Sequence, residues 1–268
     1  MNQGVDRRKF LRLMGGAGAA ACPICLAAGG ALASGAKAGG GHGRTPHWGY
    51  DGAAGPSHWG RLSPDFKVCE VGLQQSPIDL KGATPADPGT IDVTFRKMPL
   101  RIVNNGHTIQ VKCAPGSRSR IAGKRYELVQ FHFHHPSEHL LNGKKFPLEL
   151  HFVHRAADGG LAVIGVFMRR GQLNPALQPI WNAFPAAAGP ERSAGVDIDP
   201  MSLLPPTRTF YRYSGSLTTP PCSEGIVWSV LVDPIELSQG QVRRFAALFP
   251  SNARPARPLG TRYLLESR

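Results

Sequence analysis

The chain is short of acid. Across 268 residues, 18 Asp and Glu stand against 31 Lys and Arg, a formal charge of +13. Such a balance raises nucleic acid or an anionic membrane as a partner. The cations are scattered rather than striped and no nucleic-acid motif accompanies them, so no nucleic-acid partner is expected. The charge reads as solubility, with a mild pull on anionic substrates or products. Internal repeats are also missing, which excludes solenoids and propellers. Strong helical signals are few, which excludes a helical bundle. A long apolar run is lacking too. The one weak candidate, Leu13 to Ala33, is interrupted by Gly15, Gly16, Gly18, Gly29 and Gly30, a poor match to a transmembrane helix. Cysteine is scarce, with five residues in all.

The N-terminal segment carries an address. Arg7-Arg8-Lys9-Phe10-Leu11 resembles a twin-arginine export signal. The Gly/Ala-rich run follows it, and small-x-small cleavage sites end at Ala33 and Ala38. The expected organisation is a signal peptide over 1–33, a flexible linker over 34–45 and one domain over 46–268. The expected location is the periplasm, without stable membrane association after cleavage. The alternative is a membrane anchor formed by an uncleaved leader. Cys22 is a poor lipoprotein site, because Ala-Ala-Ala-Cys lacks the usual Leu. Removal of the leader takes Cys22 and Cys25 with it, so this CxxC is not read as a redox motif. Cys69, Cys113 and Cys222 remain in an oxidising compartment, where one pair can bridge. Cys113 ends a strand-like run and reads as a packed thiol, which leaves Cys69 and Cys222.

The body of the chain is a series of short alternating runs broken by Pro, Gly and Asn, among them VTFRK, LRIVNNGHTIQVKC, LAVIGVFMRR and IVWSVLVDPIEL. These read as strands. Two helices are expected, one opened by Asn174 as N-cap with Pro175 in its first turn, the other by Ser238.

Six of the ten histidines lie between Gln130 and His154. In ELVQFHFHH the alternation places Val129, Phe131 and Phe133 on one face and Gln130, His132 and His134 on the other. LELHFVH places Glu149, His151 and Val153 together. The turn signal Asn142-Gly143 between them predicts antiparallel pairing, so that His132, His134 and His151 converge. Three imidazoles converging from two strands suit zinc with one position left open. Glu149 can orient His151 from the same face. His135, His139 and His154 fall outside the set and read as packing or hydrogen-bonding residues. His132-Phe133-His134 with Glu138 also looks like the first metal motif of a cupin, but the second cupin motif is not found at the required spacing.

GSLTTPPCSEGIVW, together with QFHFH, ELHFVH, NNGH, QQSPIDL and NARPARPL, resembles the α-class carbonic anhydrases, the bacterial exported branch in particular. The resemblance runs from His47 to Arg262 with the motifs in family order. It implies a mostly β, α+β single domain: a central, twisted, mainly antiparallel sheet of about ten strands with zinc at the bottom of a conical cleft. It implies a lyase that hydrates carbon dioxide reversibly to bicarbonate and a proton, through attack of zinc-bound hydroxide. The implied ligands are His132, His134 and His151, with Gln130 and Glu149 fixing two of the rings. Thr218 and Glu138 orient the hydroxide, and Thr219 contacts bicarbonate. Val153, Val163, Leu217 and Trp228 form the apolar wall for carbon dioxide. His107 is the implied proton shuttle, with Tyr50, Asn105 and Gln110 ordering water. The resemblance also implies a Cys69–Cys222 disulfide, which would tie down the loop that positions Thr218. A homodimer is compatible with the sequence. Two departures from the vertebrate pattern stand out. His135 replaces a Trp in a short loop, and Gln110 replaces an Asn. Neither change is expected to touch the metal or the Thr218–Glu138 hydroxide switch.

Overall fold

The structure is a computed structural model that describes residues 46–268. The expected signal peptide and linker lie outside the described residues. Among the described residues there are fourteen strands: β1 (Asp79–Leu80), β2 (Thr84–Ala86), β3 (Ile91–Thr94), β4 (Met98–Asn104), β5 (Ile109–Lys112), β6 (Arg118–Ile121), β7 (Lys124–His134), β8 (Leu140–Leu141), β9 (Leu148–Arg155), β10 (Leu161–Arg170), β11 (Arg192–Ile198), β12 (Phe210–Ser216), β13 (Glu224–Leu237) and β14 (Leu265–Ser267).

Twelve of them form one sheet. Ten run in the order β11-β4-β5-β7-β9-β10-β13-β12-β14-β2, with β6 joined to β7 and β3 to β6. Every pairing is antiparallel except β10 with β13 and β14 with β2. β1 and β8 make a separate parallel pair. The chain is therefore mostly β around one large sheet, as the alternating runs predicted, with two strands more than the expected ten.

Strand position follows from pattern. β4, towards one edge of the sheet, buries Met98, Leu100, Ile102 and Asn104 and turns the residues between them outward, the period of a half-buried strand. β9 is buried at seven consecutive positions because it lies in mid-sheet with both faces covered. One face carries the main core: Phe131, Phe133, Leu148, Leu150, Phe152, Ile164 and Val166, closed over by Trp181 and by Val242 and Phe245. The helix Gln239–Leu248 supplies the last two. Its capping box at Ser238 satisfies amides that would otherwise be orphaned at its first turn. Asn174 caps the Pro175–Leu177 turn ahead of the helix Gln178–Asn182, as expected. The other face carries a smaller cluster around Val153, Val163, Tyr213 and Trp228.

Two local features differ from the simple alternation. Val129 packs with the second cluster rather than with Phe131 and Phe133. The register against β9 shifts between Leu128 and Gln130. A bulge of this kind inserts one extra residue and moves the preceding side chains to the other face. The short helices Trp59–Leu62 and Val68–Val71 were not anticipated, because four residues are too few to show a helical period. Cys69 and Cys222 form a disulfide across 153 residues of sequence, and Cys113 is a buried free thiol.

Candidate metal centre and active site

The Asn142-Gly143 signal acts as read. Both residues have positive φ, 51° and 78°, and Leu141 and Lys144 exchange both backbone hydrogen bonds, at 2.9 and 3.1 Å. Two consecutive left-handed residues are what the tight type I′ turn demands. Beyond this turn β9 returns antiparallel to β7, with His132 opposite His151 and His134 opposite Glu149.

His132, His134 and His151 converge, with their candidate ligand atoms all within 4.8 Å of one another. Each ring has its other nitrogen occupied. His132 Nδ1 meets Gln130 Oε1 at 2.9 Å. His134 Nδ1 donates to the Asn252 carbonyl at 2.7 Å. His151 Nε2 donates to Glu149 Oε1 at 2.8 Å. The free nitrogens are then Nε2 of His132 and His134 and Nδ1 of His151. His134 Nε2 is buried without a hydrogen-bond partner. A buried ring nitrogen left free, beside two others fixed as acceptors, suits a divalent cation that takes neutral imidazole. Burial, reinforced by the neighbouring imidazoles, lowers the pKa of His132 well below its usual value and also lowers that of His134. This keeps those rings neutral, as metal ligands must be.

Glu149 anchors the centre. Its two oxygens accept four hydrogen bonds, from the Glu138 and His139 amides and from the His139 and His151 rings. Burial alone would raise its pKa, but electrostatic attraction and hydrogen bonds from the His139 and His151 rings outweigh burial and hold it well below the carboxylate range. A glycine makes the room. Gly165 lies opposite His151 on β10, and a Cβ there would come within 3.2 Å of Glu149 Oε1.

Glu138 is fully buried. Its Oε1 accepts the Arg254 amide at 2.8 Å, while Oε2 has no hydrogen-bond partner and lies 3.5 Å from His134 Nε2 and 3.9 Å from His151 Nδ1. Thr218 and Thr219 are buried in the loop between β12 and β13. The Thr218 hydroxyl, expected on Glu138, makes no hydrogen bond with Oε2. Val153, Val163 and Trp228 lie side by side across β9, β10 and β13, with Leu217 packed against their cluster. The Trp228 ring sits 4.9 Å from His151, so apolar wall and imidazoles adjoin.

His107 stacks flat on Trp48, 3.7 Å between centroids and 6° between planes, with Tyr50 at 6.5 Å. Partial burial, helped by His47, lowers its pKa. Asn105 holds the turn in front of it by accepting the amides of His107 and Thr108 at 3.0 and 2.9 Å. Gln110 pairs across strands with His132.

Sequence reasoning left out four residues of this constellation. Asn252 receives the His134 ring, accepts the His135 amide, and donates to the carbonyls of His107 and Phe133. Arg254 holds Glu138. Trp48 holds His107. His139, read as a structural residue, bridges Glu149 to the Tyr213 hydroxyl at 2.7 Å. The NARPARPL stretch was legible as a motif, yet nothing local says that its Asn faces a histidine 118 residues away.

The profile of the eukaryotic-type carbonic anhydrase family matches residues 54–267. A carbonic anhydrase of Nostoc sp. is 46% identical over 230 residues, 84% of this chain and 87% of that protein. One of Neisseria gonorrhoeae is 39% identical, covering 84% and 90%. The solved α-carbonic anhydrase of Thermovibrio ammonificans, in complex with sulfanilamide, superposes with a TM-score of 0.81 at 45% identity, over 83% of this chain and all of that one. With the histidine cluster, the apolar wall and these relatives in agreement along the described domain, the chain belongs to the α-type carbonic anhydrase family.

Proposed function

We propose that the chain hydrates carbon dioxide reversibly to bicarbonate and a proton, with zinc held by Nε2 of His132, Nε2 of His134 and Nδ1 of His151. The observation that carries this reading is the convergence of three ring nitrogens whose partner nitrogens are all engaged. Zinc, when bound, supplies Lewis acidity that brings the pKa of water into the neutral range, a property for which carbonic anhydrases are known.

The chain's own residues do the rest. Gln130, Asn252 and Glu149 fix the three tautomers, so that each free nitrogen presents a lone pair. Val153, Val163, Leu217 and Trp228 offer an apolar surface, the only kind that suits a gas without a dipole. Glu138 presents an acceptor oxygen beside the triad; in the proposed working arrangement the Thr218 hydroxyl donates a hydrogen bond to it, a bond it does not make in this structure, so that only a hydrogen-bond donor is accepted at the open position. Thr219 contacts bicarbonate. His107, whose pKa burial and His47 lower from the usual imidazole value, carries the proton outward as a proton-shuttling imidazole, and Tyr50, Asn105 and Gln110 flank its route.

Metal analysis with a carbon dioxide hydration assay tests the reading. About one zinc per chain and activity lost on chelation are expected; full activity in zinc-free protein would overturn it. The export reading rests on the twin-arginine pattern and fits the disulfide, a bond of oxidising compartments. No helix among the described residues is long and apolar enough to cross a membrane. N-terminal sequencing of periplasmic material should find a start near Ser34 or Gly39, and an intact Met1 there would refute cleavage.

A further inference from the structure

Arg254 is almost completely buried, at 1% exposure. A guanidinium in that position needs acceptors, and it has two. Nη1 donates to the Ser76 carbonyl at 2.8 Å and Nη2 to the Cys69 carbonyl at 2.9 Å. Its charged plane also lies over the Trp59 ring, 5.5 Å from the centroid. The backbone amide of the same residue donates to Glu138 Oε1. One residue therefore grips the 69–76 segment with its side chain and the carboxylate beside the triad with its main chain.

The 69–76 segment is in turn fastened to the loop that carries Thr218. Cys69 is bonded to Cys222. The Cys222 amide donates to the Thr219 carbonyl at 2.9 Å, and Gln75 Nε2 donates to the Cys222 carbonyl at 3.1 Å. The Ser76 amide donates to Ser216 Oγ, and the Ser216 amide returns a bond to Ser76 Oγ. The two sides of the Glu138–Thr218 pair thus meet through one segment, and Arg254 is the link on the Glu138 side.

We propose that Arg254 is a positioning residue, and that the Cys69–Cys222 bridge acts on the reaction through its guanidinium by fixing where the Arg254 amide aims Glu138. This rests on the reading of Glu138 given above. Arginine suits the task because its planar fork reaches two carbonyls at once. Lysine keeps the charge but donates from a single atom and cannot hold that geometry.

A double-mutant cycle with Glu138 separates positioning from mere support of the fold. Arg254→Lys should bind zinc one-to-one and lose about ten- to a hundredfold in kcat/KM, the scale of a misplaced catalytic group. In a Glu138→Gln background the same substitution should cost less than about twofold, since the group it positions is already disabled. An equal factor in both backgrounds, or loss of zinc from Arg254→Lys, would overturn the proposal. Cys69→Ser/Cys222→Ser lies on the same route and serves if Arg254→Lys does not fold. Its loss in kcat/KM should likewise collapse in the Glu138→Gln background, and an undiminished loss would count against the link. Glu138→Gln alone judges the reading of Glu138: full activity with zinc bound would refute that reading without reference to Arg254.

Discussion

His151 and His154 stand three residues apart on one strand, both fully buried, and only one is fitted to hold a metal. His151 shares a face with Glu149 and Val153. One of its nitrogens is given to a carboxylate, and the other faces two more imidazoles. His154 shares the opposite face with Leu148, Leu150 and Phe152. Both of its nitrogens are engaged by neutral groups, Nε2 with Ser119 Oγ at 3.0 Å and Nδ1 with the Phe152 carbonyl at 2.9 Å. Burial lowers the pKa of His154 from 6.5 to about 4, against small opposing contributions from backbone hydrogen bonds. Burial of an imidazole does not make it a ligand. A partner that fixes one ring nitrogen, whether amide, carbonyl or carboxylate, and a second nitrogen left free toward other imidazoles do.

Substitution at the two positions should have opposite outcomes. His151→Ala should lose both zinc and hydration activity, while His154→Gln should keep about one zinc per chain and most of its turnover. A His154→Gln protein without zinc would show that the two faces are not independent.

The Cys69–Cys222 bridge packs in a third small cluster with Trp48, Trp59 and Phe66, away from the core side that holds His154. The loop it closes corresponds to about 5 kcal/mol of stability in the chain-entropy model, an upper figure. Thermal unfolding of reduced protein should therefore begin well below that of oxidised protein while zinc content at 25 °C is unchanged. Coincident loss of zinc and fold would contradict this order.

On the core side, His154 makes stability depend on pH. The folded pKa of His154 is depressed, so its neutral form is the stable one. Its contribution is intact above the unfolded value of 6.5 and is lost as pH falls from there to about 4. At ~1.4 kcal/mol per pH unit this window holds roughly 3 kcal/mol. Denaturant melts of wild type and His154→Gln across pH 7 to 4 should converge as pH falls, because only wild type carries this penalty. Parallel curves would remove His154 from the account.

The smallest effect is expected at Glu149. Glu149→Gln should weaken zinc affinity by about ten- to a hundredfold, the usual cost of losing a partner behind a ligand, as read by competition with a chromophoric chelator. Unchanged affinity would mean that the His151 ring is held by packing against Trp228 instead.

The sheet-rich class, the pairing of the two histidine strands and the face on which His132, His134 and His151 meet are legible in the order of residues alone. Those follow from a period of two residues and one Asn-Gly turn, which are local properties of the chain. The sequence also marked Cys69 and Cys222, since a third cysteine in a strand-like run left little else to pair. What lay beyond it is non-local. Nothing in the alternation revealed the bulge that turns Val129 toward the second cluster. No local rule connects His134 to Asn252, 118 residues on, or Glu138 to Arg254, 116 residues on. Nor does spacing distinguish His139, which joins Glu149 to Tyr213, from His154, which joins Ser119 to the core. These contacts form only in the folded domain, because a hydrogen bond between distant segments depends on how the sheet twists and where the C-terminal segment crosses it. The sequence specifies both only through the packing of the whole domain.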